Sequence, residues 1–295
     1  MTMQLLTGAE VAASVRERVK KEAGMFIAST GIVPCLAVVL VGDDGASRSY
    51  VASKKAACEE MGFKHIDYHL EADCDRAKLF DLIRLLNQDE SVHGILVQFP
   101  LPSHFEEYAV MEAIDPAKDV DGLNPKNLGK LLLGQTSLAP CTPSGILQMC
   151  DYYHIKTSGR HAVVIGRSAI VGKPIASMLM QKDRNATVTI CHSKTEHLEE
   201  ITRQADILVV AMGKAEAVCA SMVKPGAVVI DVGINRIPDA SKKRGYRIVG
   251  DVDFDSVSPI CSAITPVPKG VGPMTIAMLM SNTLSACTMQ HGVMQ

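Results

Sequence analysis

The chain has 295 residues, 47% of them hydrophobic, and a formal charge of −2; that length suits two domains, each able to bury its own core. Interspersed, nearly balanced charge leaves no basic field of the kind that draws nucleic acid, so no nucleic-acid partner is expected. The first residues carry no basic, apolar leader and no apolar run reaches the roughly 18 residues that span a bilayer, so the sequence reads as cytoplasmic, with no membrane partner.

Short β-branched runs alternate with longer amphipathic ones, which predicts an α/β protein of parallel sheets wrapped by helices. Leu36 to Val41 reads as the first strand, ending at a turn over Gly42 to Gly45, and Ser47 to Gly62 as a helix with a glycine stop. That helix carries Tyr50 and Lys54. Spaced i, i+4, a phenol and an ammonium share one face and can serve proton transfer, although the same pair also suits an ordinary solvated helix. His65 to Leu70 is a second strand, Arg76 to Asn87 a helix, and Gly94 to Gln98 a third strand, stopped by Pro100 and Pro102, which cannot continue a ladder. Lys54 and Gln98 thus lie where open α/β sheets hold ligands. Asp119 to Gly122 follows, then a linker-like stretch, and a helix starts near Cys141.

The nine cysteines contain no Cys-x-x-Cys and read as reduced thiols packed as small hydrophobes. His65 and His69 alternate along a strand without an acid or thiol cluster to complete a ligand set, so no metal site is expected.

A second series begins near residue 161, with strands over Ala162–Ile165, Ala186–Cys191, Ile207–Ala211 and Ala227–Asp231, and helices from Gly172, from Glu196 and near Ala217. The change of domain is placed between 135 and 150. A last helix runs from Pro273 to about Gln290, and its return to the first lobe would make that lobe discontinuous. The expected domains are therefore 1–140 with 273–295, and 141–272. Asp251, Asp253 and Asp255 resemble a metal box superficially and read as a solvated strand edge or turn.

Gly166 ends a strand and Gly172 opens a helix, so N–H groups there can receive a pyrophosphate. Ser168 occupies the place of the second glycine in Gly-x-Gly-x-x-Gly, and a plain structural turn is the competing reading. The next strand ends in His192, Ser193 and Lys194. A carboxylate at that point selects NAD; these donors, with Arg167, favour the 2′-phosphate of NADP. A Tyr-x-x-x-Lys pair beside a nicotinamide fold also suggests a short-chain dehydrogenase, but there the glycine turn precedes the pair, and here it follows.

The stretches Gly42 to Gly62, Gly94 to Pro102, Lys118 to Leu123, Pro140 to Pro143 and Thr265 to Thr275 resemble, in register and over nearly the whole length, the bifunctional methylenetetrahydrofolate dehydrogenase/cyclohydrolases. The resemblance implies two lobes, an α/β catalytic domain and a Rossmann-like domain, with a cleft between them, in a homodimer. It implies NADP-dependent oxidation of 5,10-methylenetetrahydrofolate to the methenyl form and hydrolysis of that product to 10-formyltetrahydrofolate. By position it makes Lys54 the catalytic lysine, Tyr50 the ring against the folate, Gln98 the lysine's partner and Asp121 the pterin-binding carboxylate. Pro100, Gly270, Gly272 and Pro273 fall at substrate positions, and Gly166, Arg167, Ser168, Gly172, Ser193, Ile234 and Thr275 at cofactor positions. Lys269 departs from the family pattern, which has glycine there more often. Two alternatives stay open: a monofunctional or NAD-dependent folate dehydrogenase, and a nucleotide sensor without chemistry, which would have no use for Tyr50, Lys54, Gln98 and Asp121 together.

Overall fold

The computed structural model describes residues 3–43, 45–135, 137–242 and 245–292. In chain order it contains β1 (Gln4–Leu5), α1 (Gly8–Thr30), β2 (Cys35–Val41), α2 (Gly45–Met61), β3 (Lys64–Leu70), α3 (Arg76–Gln88), β4 (Gly94–Val97), α4 (Glu107–Ala113), α5 (Pro125–Leu132) and α6 (Cys141–Tyr152). There follow β5 (His161–Ile165), α7 (Gly172–Leu179), β6 (Thr187–Cys191), α8 (Leu198–Thr202), β7 (Ile207–Val210), β8 (Val228–Asp231), β9 (Asn235–Pro238), β10 (Tyr246–Val249), α9 (Phe254–Val257), β11 (Ala263–Ile264) and α10 (Gly272–Gln290). No helix among the described residues is long and apolar enough to cross a membrane.

The chain forms two compact bodies, Ala13–Cys141 with Ile276–Gln295, and Met1–Ala12 with Thr142–Thr275. The first is built on a parallel sheet in the order β3-β2-β4. All seven residues of β2 are buried, as expected of a central strand covered on both faces. Its core gathers Val39, Leu79, Ile83, Ile95 and Val110.

The second body holds a six-stranded parallel sheet, β1-β11-β8-β7-β5-β6, and the hairpin β9–β10. Its core includes Val163, Leu208, Val210, Val229 and Ile264. Residues 3–12 lie here rather than with the first lobe because Gln4 and Leu5 pair with Ala263 and Ile264, and the Tyr153 hydroxyl donates to Thr7 O and accepts from Thr7 N, each at 3.0 Å.

Several local expectations change. α1 carries buried Val11, Ala12, Val15, Val19, Ala23 and Phe26 at steps of one, three or four, an amphipathic stripe that the strand-led reading passed over. The linker-like stretch after Gly122 contains α5, with Pro125 at its first turn and Asn124 capping it through the Lys126 N–H at 2.8 Å. No α-helix forms near Ala217. Val218 instead bonds both sides of an extended segment, donating to Asp251 O and accepting from Asp253 N, so that crossover is extended, with only a single 3₁₀ turn at Ala220–Met222. The helix expected from Glu196 shrinks to α8, since His197 sits in left-handed backbone at φ 52°. Asp44 of the expected turn, and positions 293–295 of the expected terminal segment, lie outside the described residues.

Candidate active site

In the first body, α2 presents Lys54, Ala57, Cys58 and Met61 at helical spacing on one buried stripe. Three of these are core residues and the fourth is a cation, only 8% exposed. Burial is the main force on its ammonium and lowers its pKa below the ordinary lysine value, with Asp121 and then Cys141 opposing. Its Nζ donates to Gln98 Oε1 at 2.7 Å, while the Gln98 side-chain amide donates to Phe99 O at 2.6 Å. Both ends of that amide are therefore committed, which fixes its orientation. Tyr50 lies one turn before Lys54 and is 45% exposed, so its ring is open to a ligand. Pro100 lies exposed in the loop just past Gln98.

Asp121 sits on a loop that other side chains hold from three directions. The Asp119 carboxylate, buried, accepts from Leu123 N at 3.2 Å, Asn124 N at 2.8 Å and Asn127 Nδ2 at 2.9 Å. Burial pushes this carboxyl up to about 6 against the pull of those donors. From α10, Asn282 Nδ2 donates to Val120 O at 2.8 Å and Ala139 O at 2.9 Å. Gly122 takes φ +75°, and a Cβ there would stand 2.3 Å from Ala139 C, so the turn admits only glycine. Desolvation raises the pKa of Asp121, with Lys54 the chief opposing influence.

The Cys141 thiol completes this cluster. It donates to Val120 O at 3.3 Å, and its hydrogen bond to Asp121 lowers that carboxyl while its own pKa stands well above the ordinary thiol value, through burial first and the Asp121 charge second. The sequence reading treated Cys141 as a helix start; the signal available was the Pro-Cys-Thr-Pro motif itself. Asp119 was likewise passed over as a neighbour of Asp121.

The second body builds a different site at the C-terminal ends of its strands. Gly166 takes φ +135° after β5, and a Cβ there would meet Ala211 O at 2.2 Å; a Cβ on Gly172 would meet Gly166 O at 2.2 Å. Ser168 Oγ accepts from Val171 N at 3.1 Å and Gly172 N at 3.4 Å, which leaves its own hydroxyl proton free to point at an anion. Beyond β6, His192, Ser193 and Lys194 form a tight turn in which Lys194 N donates to His192 Nδ1 at 3.2 Å. Arg167, Ser193 and Lys194 are exposed. These residues fit a dinucleotide carrying a 2′-phosphate, since the turn is too close for any side chain and its rim holds donors without a carboxylate.

Ile234, 53% exposed, follows β8, and its Cδ1 lies 3.9 Å from the point where a Gly272 Cβ would stand. Gly270 packs against the chain start, where Gly8 N donates to Lys269 O at 3.0 Å. Pro273 lies in the first turn of α10, and Thr275 Oγ1 bonds Thr142 Oγ1 at 3.0 Å. Lys269 takes φ 81°, the left-handed region where glycine is free and a lysine is strained, a physical ground for the expectation of glycine at this position.

Asp251 is not on a solvated edge. It is fully buried and accepts from Met212 N, Gly213 N and Asn235 Nδ2, and Asp253 caps α9 by accepting from Ser256 N. Among the described residues, His93, Cys287 and His291 form the cluster whose spacing suits a metal ion. His93 Nδ1 accepts from Cys35 N at 3.1 Å, and burial pushes the ring down to about 4, so at neutral pH its proton sits on Nε2 and that nitrogen has no lone pair to offer.

Comparisons with known proteins bear on both bodies. Residues 6–121 match the family model described as tetrahydrofolate dehydrogenase/cyclohydrolase, catalytic domain, and residues 140–291 the one described as its NAD(P)-binding domain. The bifunctional protein FolD of Prosthecochloris aestuarii is 52% identical over 295 residues, covering 99% of this chain and 100% of its own length. The bifunctional protein FolD 1 of Myxococcus xanthus is 54% identical over 282 residues, 95% of this chain and 96% of its own. Among solved structures, bifunctional FolD from Campylobacter jejuni superposes with a TM-score of 0.91 at 49% identity, over 97% of this chain and 99% of that one. The Trypanosoma brucei methylenetetrahydrofolate dehydrogenase-cyclohydrolase, complexed with NADP cofactor and inhibitor, gives a TM-score of 0.93 at 35% identity, over 98% of each chain.

Proposed function

The chain belongs to the tetrahydrofolate dehydrogenase/cyclohydrolase family, and from that premise we propose that Lys54, held by Gln98, moves the proton in the second of its two reactions. The enzyme is bifunctional. It oxidises 5,10-methylenetetrahydrofolate to the 5,10-methenyl form with NADP and hydrolyses that product to 10-formyltetrahydrofolate, in one-carbon metabolism. The observation that carries the assignment of Lys54 is its 2.7 Å contact with an oriented Gln98 on an otherwise apolar, buried helix stripe.

NADP, when bound, supplies the hydride acceptor. Gly166, Arg167, Ser168, Gly172, Ser193, Ile234 and Thr275 are proposed to hold it, with Arg167 and Ser193 on the 2′-phosphate. For the substrate, Asp121 offers two acceptor oxygens to the adjacent N–H and NH₂ of the pterin, a bidentate match. The Tyr50 ring is proposed to lie against the folate, with Pro100 in the loop past Gln98; Gly270, Gly272 and Pro273 stay substrate positions by the resemblance. Hydride loss leaves a delocalised positive charge on the folate, and like-charge repulsion lowers the Lys54 pKa further than burial already does. The ammonium then gives up its proton to solvent water, leaving a neutral amine. Gln98 keeps one amine N–H, which leaves the lone pair to accept a proton from the water attacking the methenyl carbon.

The deciding assay follows 5,10-methylenetetrahydrofolate with NADP and with NAD separately, and then preformed methenyl folate alone. NADP reduction together with enzyme-dependent loss of methenyl absorbance is the expected result. Turnover with NAD only would overturn the reading of Arg167 and Ser193.

The same reading extends to assembly and compartment. All nine cysteines are free, consistent with a reducing cytoplasm. β6 ends the six-stranded sheet with Ile190 43% exposed on an edge that pairs with no other described strand. An apolar open edge invites a second copy to pair across a two-fold axis, giving a homodimer. Ile190→Lys should convert a dimer to a monomer in light scattering; a dimer that survives the change would place the interface elsewhere.

A further inference from the structure

Two carboxylates, Asp231 and Asp251, lie side by side at the C-terminal ends of the second body's strands, 3% and 0% exposed. No cation is paired with either in any contact described. Six donors face them instead. Asp251 Oδ2 accepts from Met212 N at 2.7 Å and Gly213 N at 2.8 Å, and its Oδ1 accepts from Asn235 Nδ2 at 2.8 Å. Asp231 accepts from Gly233 N at 2.9 Å, and from Asp251 N and Val252 N, both at 3.0 Å. Buried charge on this scale persists only where hydrogen bonds replace the lost water, and here they are nearly all from loop backbone. The two neighbouring glycines leave the space: a Cβ on Gly233 would stand 2.4 Å from the Asp251 carboxylate, and one on Gly250 would stand 1.7 Å from Asp231 Oδ2.

The loops so gripped are the ones beyond β7 and β8. Each carries a large apolar side chain held out to solvent, Met212 at 37% exposure and Ile234 at 53%. Met212 is bonded to Asp251 through its own N–H, and Ile234 stands between Gly233 and Asn235, both fixed by the pair. Exposed apolar groups on a rigid backbone at the ligand-binding ends of a parallel sheet make a surface for a flat ring. The same segment also backs the phosphate turn, since Ala211 O is the atom that excludes a side chain at Gly166.

We infer that Asp251 is a positioning residue for the dinucleotide, setting Met212 and Ile234 as an apolar seat for one of its planar rings. This rests on the reading of the second body as the NADP site. Losing the carboxylate leaves the part-buried Met212 and Gly213 N–H groups without their partner and frees the loop that carries Met212, a change of the order that raises a KM about 10–100-fold.

The test is steady-state kinetics of Asp251→Ala, Asp251→Asn and Asn235→Ala in the full-length enzyme, with cyclohydrolase turnover on preformed methenyl folate as the second readout, because that step consumes no dinucleotide. Asp251→Ala should raise the KM for NADP about 10–100-fold with a smaller change in cyclohydrolase turnover. Asp251→Asn should recover most of the loss, since one oxygen still faces the two backbone donors. Asn235→Ala, which removes one donor of three, should raise the KM a fewfold, and decides the matter if Asp251→Ala does not fold. An unchanged KM for NADP in a folded Asp251→Ala or Asn235→Ala overturns the inference, as does parallel loss of both activities. If the unaltered enzyme itself fails to use NADP, the fault lies with the NADP reading instead.

Discussion

Lys54→Met should lower cyclohydrolase turnover by about 10²–10⁴, the usual worth of a positioned proton-transfer group, which is about 3–5 kcal/mol of barrier. Methionine keeps the volume of the stem and removes the amine, so the apolar stripe of Ala57, Cys58 and Met61 stays filled. The unaltered enzyme should show cyclohydrolase activity rising with pH as the ammonium deprotonates, with a midpoint below the ordinary lysine value because burial lowers it. In Lys54→Met that rise should vanish. Stability should move the opposite way to activity. The fold lowers the lysine's pKa, so at neutral pH the unfolded chain holds the proton more readily than the folded one, and the buried ammonium opposes folding. Replacing it by methionine should raise the melting temperature in a thermal scan. Full cyclohydrolase activity in a folded Lys54→Met protein would remove the lysine from the mechanism.

Asp121→Ala carries the second large effect. Two charge-assisted hydrogen bonds to the pterin, each worth about 1.5–3 kcal/mol, predict a folate KM or Kd raised by 10²-fold or more. NADP affinity should be nearly unchanged, as its proposed contacts lie in the other body. Equal loss of both affinities would indicate a damaged fold instead. A further consequence separates Asp121 from a passive contact. Its charge is the largest influence raising the Lys54 pKa against burial, so in Asp121→Ala the cyclohydrolase pH midpoint should move down.

What was legible in the sequence and what was not divides along physical lines. Strands buried on both faces, such as Cys35–Val41 and Ile207–Val210, announce themselves as continuous apolar runs, and the order of elements followed from them. The Lys54–Gln98 contact was legible only through the family resemblance, since Lys54 lies in the middle of α2 and it is the fold that brings it to the end of β4. Asp119, Asp251 and Cys141 were not legible: Asp119 works through nearby backbone N–H groups and Asn127, Asp251 through backbone donors 38 and 39 residues away, and Cys141 through the carbonyl of Val120. An aspartate in an alternating Asp-x-Asp-x-Asp run looks solvated by pattern alone; only the fold reveals that one of the three is sealed. The crossover before β8 misled for a related reason, since its extended form depends on Val252 and Asp253, well downstream. The α5 helix hid because its exposed, lysine-bearing surface looks like a linker when its Asn124 cap is not recognised.

Asn282 gives the order in which the enzyme becomes competent as it is made. The loop bearing Asp121 is pegged through Val120 O and Ala139 O by the Asn282 side chain in α10, 162 and 143 residues further along the chain. A nascent chain therefore has its strands and its Lys54 helix long before it has that peg. The Asp121 loop gains this peg only once α10 has been made, and a chain cut before Asn282 lacks that anchor.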